Sequence, residues 1–185
     1  MLLILIVRKA QQRDLIELAE ILADSFHPRS GVSRWVYPLL RLGIYEDLRT
    51  RLRSISPNYV CLVAVIPTFK GSVMHECLVG TVEMGLRSPP TWISGELRPY
   101  PYISNLAVGT EFRRQGVAQQ LLISCERTAL DWGVEDIYLH VLENNHQARQ
   151  LYLKRGYRLH QVESSICAWL LRQPRRLFLR KNLSI

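Results

Sequence analysis

The run Ile103-Ser104-Asn105-Leu106-Ala107-Val108 leads through residues 109–112 into Arg113-Arg114-Gln115-Gly116-Val117-Ala118. It reads as a strand, a short connection and a glycine turn that opens a helix. The first N–H groups of a helix have no intrahelical acceptor, and the helix dipole adds partial positive charge, so such a terminus binds anions. Gly116 and Ala118 keep bulky side chains away from the approach, and Arg113 and Arg114 add charge. This suits a pyrophosphate. It also suits a basic turn capping a surface helix, and spacing alone does not separate the two. No Gly-Lys-Ser/Thr follows, so it is not a Walker A loop, and G-x-G-x-x-G is absent.

Proton chemistry has a few candidates. His140 stands in the apolar run Ile137-Tyr138-Leu139-His140-Val141-Leu142. An imidazole accepts a proton near neutral pH, although a satisfied sheet histidine fits the same pattern. Tyr102 and Tyr152 are phenols that read equally as packing aromatics. Glu143 follows the His140 strand and reads as a solvated loop carboxylate or a fallback base.

The elements that must position these groups follow from periodicity. Leu2–Val7 predicts a buried first strand. In 14–26, Leu15, Leu18, Ala19, Leu22 and Phe26 recur at helical spacing. Trp35–Leu52 predicts a second helix, with Pro38 near its start. Tyr59–Ile66 and Cys77–Leu86 read as strands joined by a hairpin connection at 67–72. Residues 87–101 carry Pro89, Pro90, Pro99 and Pro101 and read as a long, functional loop. Tyr102–Val108 is a strand, Gly116–Trp132 a helix, Ile137–Leu142 a strand, and His146–Arg155 a helix capped by Gly156. Tyr157–Val162 and Leu177–Leu179 complete the order β α α β β β α β α β β. Strands alternating with helices in the second half imply a mixed sheet flanked by helices.

With 185 residues, 48% of them hydrophobic, the chain is long enough for one domain spanning 1–185 and too apolar for intrinsic disorder. Lys and Arg number 24 against 16 Asp and Glu, a net charge of +8. That balance suits an acidic partner or plain solubility. Arg172, Arg175, Arg176, Arg180 and Lys181 form a basic tail. It reads as a charged edge strand guarded from aggregation, or as a surface that steers ribosomal RNA. Cys61, Cys77, Cys125 and Cys167 contain no C-x-x-C pair, so no metal site is expected and a reducing, cytoplasmic compartment is favoured. The seven-residue apolar start lacks a basic flank and a cleavage site, which argues against a signal peptide. No stretch is long enough to span a membrane.

Arg113-x-x-Gly116-x-Ala118 after Asn105-Leu106-Ala107-Val108 resembles the acetyl-CoA signature of GNAT-type N-acetyltransferases. The resemblance continues through Ile137-Tyr138-Leu139-His140-Val141, Asn144-Asn145, Ala148 and Leu151-Tyr152-x-x-x-Gly156-Tyr157, and covers about Tyr102 to Tyr157 in detail. Val7-Arg8-Lys9-Ala10 and Asp14-Leu15 are similar to that family's opening. The resemblance implies an α/β (α+β) GNAT fold: a mixed, mostly antiparallel central sheet of about seven strands with helices on both faces. It implies acetyl-CoA as cosubstrate and direct transfer of acetyl to a primary amine.

On this resemblance, Leu106, Ala107 and Val108 offer backbone groups to the thioester and pantetheine arm. Arg113, Arg114, Gln115, Gly116, Val117 and Ala118 cradle the pyrophosphate, and Asn145 contacts the cofactor. Tyr152 matches the tyrosine that protonates the CoA thiolate. Bacterial ribosomal-protein alanine acetyltransferases carry Glu at the position of His140, so that base is missing here. Eukaryotic N-terminal acetyltransferases acting on Met-starting peptides carry Leu-His-Val and a Tyr on the preceding strand, which matches Leu139-His140-Val141 and Tyr102. The sequence also resembles plastid and cyanobacterial GNAT proteins, a stromal alternative. The expected acceptor is a protein N-terminal α-amine, with Lys ε-amines beside it and ribosome association as a partner; membrane and DNA are not expected. Small amines, arylalkylamines such as serotonin or polyamines, are the alternative, and a non-catalytic acetyl-CoA- or RNA-binding module is the alternative of another class. Trp92, Tyr100 and Trp169 are expected to line the acceptor side.

Overall fold

The computed structural model describes residues 4–26, 33–54, 56–70, 73–88, 99–163 and 174–184. Among these residues the chain forms β1 (Ile6–Lys9), α1 (Leu15–Phe26), α2 (Ser33–Arg53), β2 (Tyr59–Lys70), β3 (Val73–Arg87), β4 (Tyr100–Val108), α3 (Val117–Asp131), β5 (Asp136–Leu142), α4 (His146–Lys154), β6 (Arg158–Glu163) and β7 (Arg176–Asn182). The strands make one sheet in the order β1-β2-β3-β4-β5-β7-β6. β1–β2, β5–β7 and β6–β7 are antiparallel, and β4–β5 is parallel. This is the mixed, mostly antiparallel sheet expected from the sequence.

The chain divides into two compact units. The first comprises residues 1–83 and 105–125. Its core sets Leu15, Leu18, Ala19 and Leu22 of α1 and Leu48 of α2 with Cys61, Val63 and Val65 of β2, Leu78 of β3 and Ala107 of β4. The i, i+3, i+4, i+7 spacing of α1 is what puts those four side chains on one stripe. Asp14 fixes the entry to α1: its buried carboxylate accepts from the Gln11 N–H at 2.7 Å and from both Arg8 Nη atoms at 2.7 and 2.9 Å. Gly80 of β3 has a spatial reason: a Cβ there would lie 3.0 Å from the Ala107 carbonyl oxygen and 3.0 Å from Val117 Cγ1. Burial pushes the Cys61 thiol up to about 12, so it behaves as a small hydrophobe.

The second unit comprises residues 84–104 and 126–185. Ile137, Leu139 and Val141 of β5 and Leu177 and Leu179 of β7 are buried, while the alternate residues Tyr138, His140 and Phe178 stand on the opposite face. Glu126 carries the charge here, paired at 2.7 Å with both Arg155 and Lys181.

Three expectations change. The first strand, expected buried over Leu2–Val7, is Ile6–Lys9 among the described residues, since its ladder pairs Ile6 with Val65 and Lys9 with Leu62, and it is not buried, with Ile6 exposed; Leu2 and Leu3 lie outside the described residues. The connection expected at 67–72 is shorter, because β2 continues to Lys70 and β3 starts at Val73. The basic tail is not an edge strand: β7 lies between β5 and β6, and β6 is the edge. Its cations are paired instead, Arg175 with Glu143 at 2.6 Å and Arg180 with Asp136 at 2.8 Å. Trp92, Cys167, Trp169 and Arg172 lie outside the described residues.

Candidate functional site

The glycine turn of the first unit has the backbone that its sequence suggests. Residues Thr110–Phe112 form a short 3-10 turn, Arg113 is extended, and Arg114 and Gly116 take φ of +65° and +85° before α3 begins. A Cβ on Gly116 would meet nothing within 4 Å. The glycine therefore answers the left-handed backbone rather than crowding by the protein. Gln120 N–H bonds the Gly116 carbonyl at 3.1 Å, which closes the first turn of α3. The first N–H groups of that helix, from Val117 and Ala118 onward, have no earlier helical carbonyl to bond. Arg113 Nε donates to the Val108 carbonyl at 3.2 Å and Gln115 Nε2 to the Glu111 carbonyl at 3.0 Å, so both side chains brace the turn. Arg114 is exposed.

Just before this turn, β4 departs from regular strand geometry. Asn105 has φ of +52°, uncommon for a residue with a side chain. Its Nδ2 donates to Glu83 Oε1 at 2.8 Å. Glu83 is 1% exposed, and its other oxygen accepts from Arg51 at 2.5 Å and from Tyr59 at 2.8 Å. Arg51 also pairs with Asp47. A buried carboxylate with these partners compensates its desolvation through charge-assisted hydrogen bonds. It ties a strained residue of β4 to β3 and α2, next to Leu106, Ala107 and Val108. Sequence reasoning missed Glu83, Gly80 and this role of Asn105. A charged residue inside the apolar run Cys77–Leu86 was the available signal for Glu83.

In the second unit, the β4–β5 register sets Tyr102 opposite Tyr138 and Ile103 opposite Leu139. Tyr102 Oη lies 2.9 Å from His140 Nδ1. The structure thus brings together the two residues expected to act as a pair. Tyr102 is buried, and the Arg87 guanidinium sits 3.6 Å above its ring. His140 stacks on Phe178 with ring centroids 4.6 Å apart. Burial holds the His140 pKa below its usual value; Glu163 pulls it back up, and Arg176 and Arg87 push it down. The imidazole is therefore neutral at neutral pH and able to accept a proton. Tyr100, Tyr138, Phe178 and His160 continue the aromatic face, with Tyr100 edge-on to Tyr138 at 5.1 Å and Tyr138 stacked on Phe178 at 5.2 Å.

Tyr152, on α4, is buried with its ring edge-on to Tyr157 at 5.7 Å. Burial raises its pKa, with a smaller push from Tyr102. Its hydroxyl stays protonated across the working range and is a hydrogen-bond donor. Asn145 is the N-cap of α4, its Oδ1 accepting from Ala148 N–H at 3.1 Å. That structural duty was not foreseen from the sequence. Glu143 is bonded by Arg175 at 2.6 and 2.8 Å, and this pairing holds its carboxyl below the usual range. As a base it is a poorer acceptor than His140.

Residues 16–157 match the model of the acetyltransferase (GNAT) family. The chain is 38% identical over 78 residues to the GCN5-related N-acetyltransferase 7, chloroplastic, of Arabidopsis thaliana; the match covers 42% of this chain and 28% of that protein. It shares its fold with the PaiA N-acetyltransferase of Thermoplasma acidophilum in complex with coenzyme A. That likeness has a TM-score of 0.67 at 19% identity and covers 96% of this chain and 98% of that one. It shares it also with Arabidopsis thaliana NAA60 in complex with a bisubstrate analogue, with a TM-score of 0.67 at 18% identity over 97% and 99% of the two chains.

Proposed function

The chain belongs to the acetyltransferase (GNAT) family, whose cosubstrate is acetyl-CoA, and we propose that it moves acetyl directly from acetyl-CoA to the α-amine of a protein N-terminus. The observation that carries this reading is the Tyr102–His140 contact of 2.9 Å on neighbouring parallel strands. An ammonium has no lone pair, so the acceptor must lose a proton before it attacks. An α-amino group has a reference pKa of about 7.7–8.0 and a Lys ε-amine one of about 10.4. A histidine with a depressed pKa is a weak base. It suits the α-amine, which is partly neutral already, better than lysine.

In this reading the amine nitrogen attacks the thioester carbonyl carbon, the C–S bond breaks, and the thiolate leaves. The Tyr102–His140 pair takes the amine proton. Tyr152 donates a hydrogen bond to the sulfur as charge develops there. The backbone of Leu106, Ala107 and Val108 receives the thioester and pantetheine arm. Arg113, Arg114, Gln115, Gly116, Val117 and Ala118 hold the pyrophosphate, with helix dipole and N–H donors aimed at the anion. Asn145 contributes to cofactor binding through the amide group its cap does not use. Residues 1–185 act as one GNAT domain. The location named for the Arabidopsis relative supports the plastid-stroma alternative.

The test is acetyl transfer read by mass spectrometry. The panel holds peptides with varied N-termini, Lys peptides with blocked N-termini, polyamines and arylalkylamines. Preferential α-amine acetylation is the expected result. Transfer to small amines alone overturns it in favour of a small-amine acetyltransferase. Binding of acetyl-CoA with no transfer to any amine favours a non-catalytic module.

A further inference from the structure

We infer that Glu163 is a positioning residue that fixes the tautomer of His140, so that Tyr102 Oη faces the amine and His140 Nδ1 is the final proton acceptor. The inference rests on the base assignment made above. Glu163 Oε1 lies 2.9 Å from His140 Nε2, at the opposite end of the ring from Tyr102. The two atoms are close without the alignment of a hydrogen bond, and the contact becomes an ion pair only once His140 is protonated. A carboxylate beside Nε2 favours a hydrogen there. Nδ1 then carries the lone pair and accepts from the Tyr102 hydroxyl.

A backbone irregularity delivers Glu163 to this face. On β6, Leu159 pairs with Leu179, but Gln161 pairs with Phe178 and Glu163 with Arg176, so His160 is an extra residue. Continued without that bulge, the register would set residue 163 opposite Arg175, and its side chain would fall on the other face of the sheet. With the bulge, Glu163 shares the face of Phe178, whose β5 partner is His140. The groups around the imidazole are Tyr102 from β4, Glu163 from β6, Arg176 from β7, and Arg87 from β3. Arg176 lies 3.9 Å from Glu163 Oε2, and Arg87 lies over the Tyr102 ring.

The proton steps balance. The amine N–H proton moves to Tyr102 Oη as the Tyr102 proton moves to His140 Nδ1. Tyr102 ends neutral, and the imidazolium formed lies against the Glu163 carboxylate until it loses its proton to solvent. The two cations, Arg87 and Arg176, oppose protonation, and Glu163 offsets them.

Nitrogen-detected NMR of the full-length protein reads this without an acceptor. His140 is expected as the Nε2–H tautomer, and Glu163→Gln is expected to lower its pKa by about 0.5–1 unit while Glu163→Asp retains most of the wild-type value. An Nδ1–H tautomer, or an unmoved pKa in Glu163→Gln, overturns the proposal. The pH–rate profile, taken with the acceptor identified by the panel, separates the two levels. A profile unchanged in His140→Ala removes the base assignment and the relay together. A profile lost in His140→Ala but unmoved in Glu163→Gln overturns the role of Glu163 alone.

Discussion

The residues proposed to handle protons differ most in what burial does to them. Burial favours the uncharged form of both, the protonated phenol of Tyr152 and the free imidazole of His140, so at neutral pH one is a donor and the other an acceptor. Tyr152→Phe removes only the hydroxyl. It is expected to lower kcat about 10- to 100-fold and leave the acetyl-CoA Kd within about twofold, as for an interaction made in the transition state. Steady-state kinetics with a binding isotherm checks both. For His140 the sign is fixed by its depressed pKa. Activity is present above that value and lost as pH falls through it, so the acid limb of kcat/KM lies below the reference of about 6.5. A pH–rate profile of the wild type, set against His140→Ala, tests this. Neither His140 nor Tyr102 announces its proposed role by type. The pairing appeared only by likeness to a family, and the 2.9 Å contact depends on which residues the β4–β5 register places side by side.

At the scale of elements, close approach and strain decide where the backbone proposed to bind acetyl-CoA lies. Gly80 allows Val117, the first residue of α3, to sit against β3 beside the Ala107 carbonyl. Gly80→Ala is therefore expected to cost about 1–3 kcal/mol by overpacking. It should also weaken acetyl-CoA binding by moving the start of α3. Denaturant melts and calorimetric titration read the two effects. Gly116 lies in open space but at φ +85°, so Gly116→Val carries backbone strain of roughly 1–2 kcal/mol. Its effect should appear as lost acetyl-CoA affinity, and an unchanged Kd would count against the pyrophosphate placement. The strand–turn–helix was legible because a glycine among arginines before an apolar helix has few readings. Gly80 was not, because a glycine within a strand shows its purpose only when the atoms across from it are known.

For the whole molecule, the net charge of +8 says less about partners than the sequence suggested. Arg175, Arg180 and Lys181 face carboxylates on the protein itself. The Arg175 and Arg180 pairs lie at the surface, where solvent and salt screen them, whereas Lys181 meets the buried Glu126 carboxylate. The proposed function calls instead for binding of acetyl-CoA. At 100 times its Kd, a ligand that binds only the folded state adds about 2.7 kcal/mol, so Tm should rise with acetyl-CoA concentration. RNA binding that falls steeply with salt, with no shift from acetyl-CoA, would move the chain to the binding-module reading.

The amino-acid sequence determined the element order, the helix stripes, the glycine turn and the family, because each is written in local periodicity or in a short motif. Tertiary structure decided the rest. It turned the basic tail from an edge strand into an interior one, since strand order comes from long-range pairing. It joined Glu83 to Asn105 across 22 residues and brought Glu163 to His140 through a one-residue bulge. A strand's side chains alternate, so a single inserted residue changes which face the remainder occupies, and neither that insertion nor its partner can be read from the strand alone.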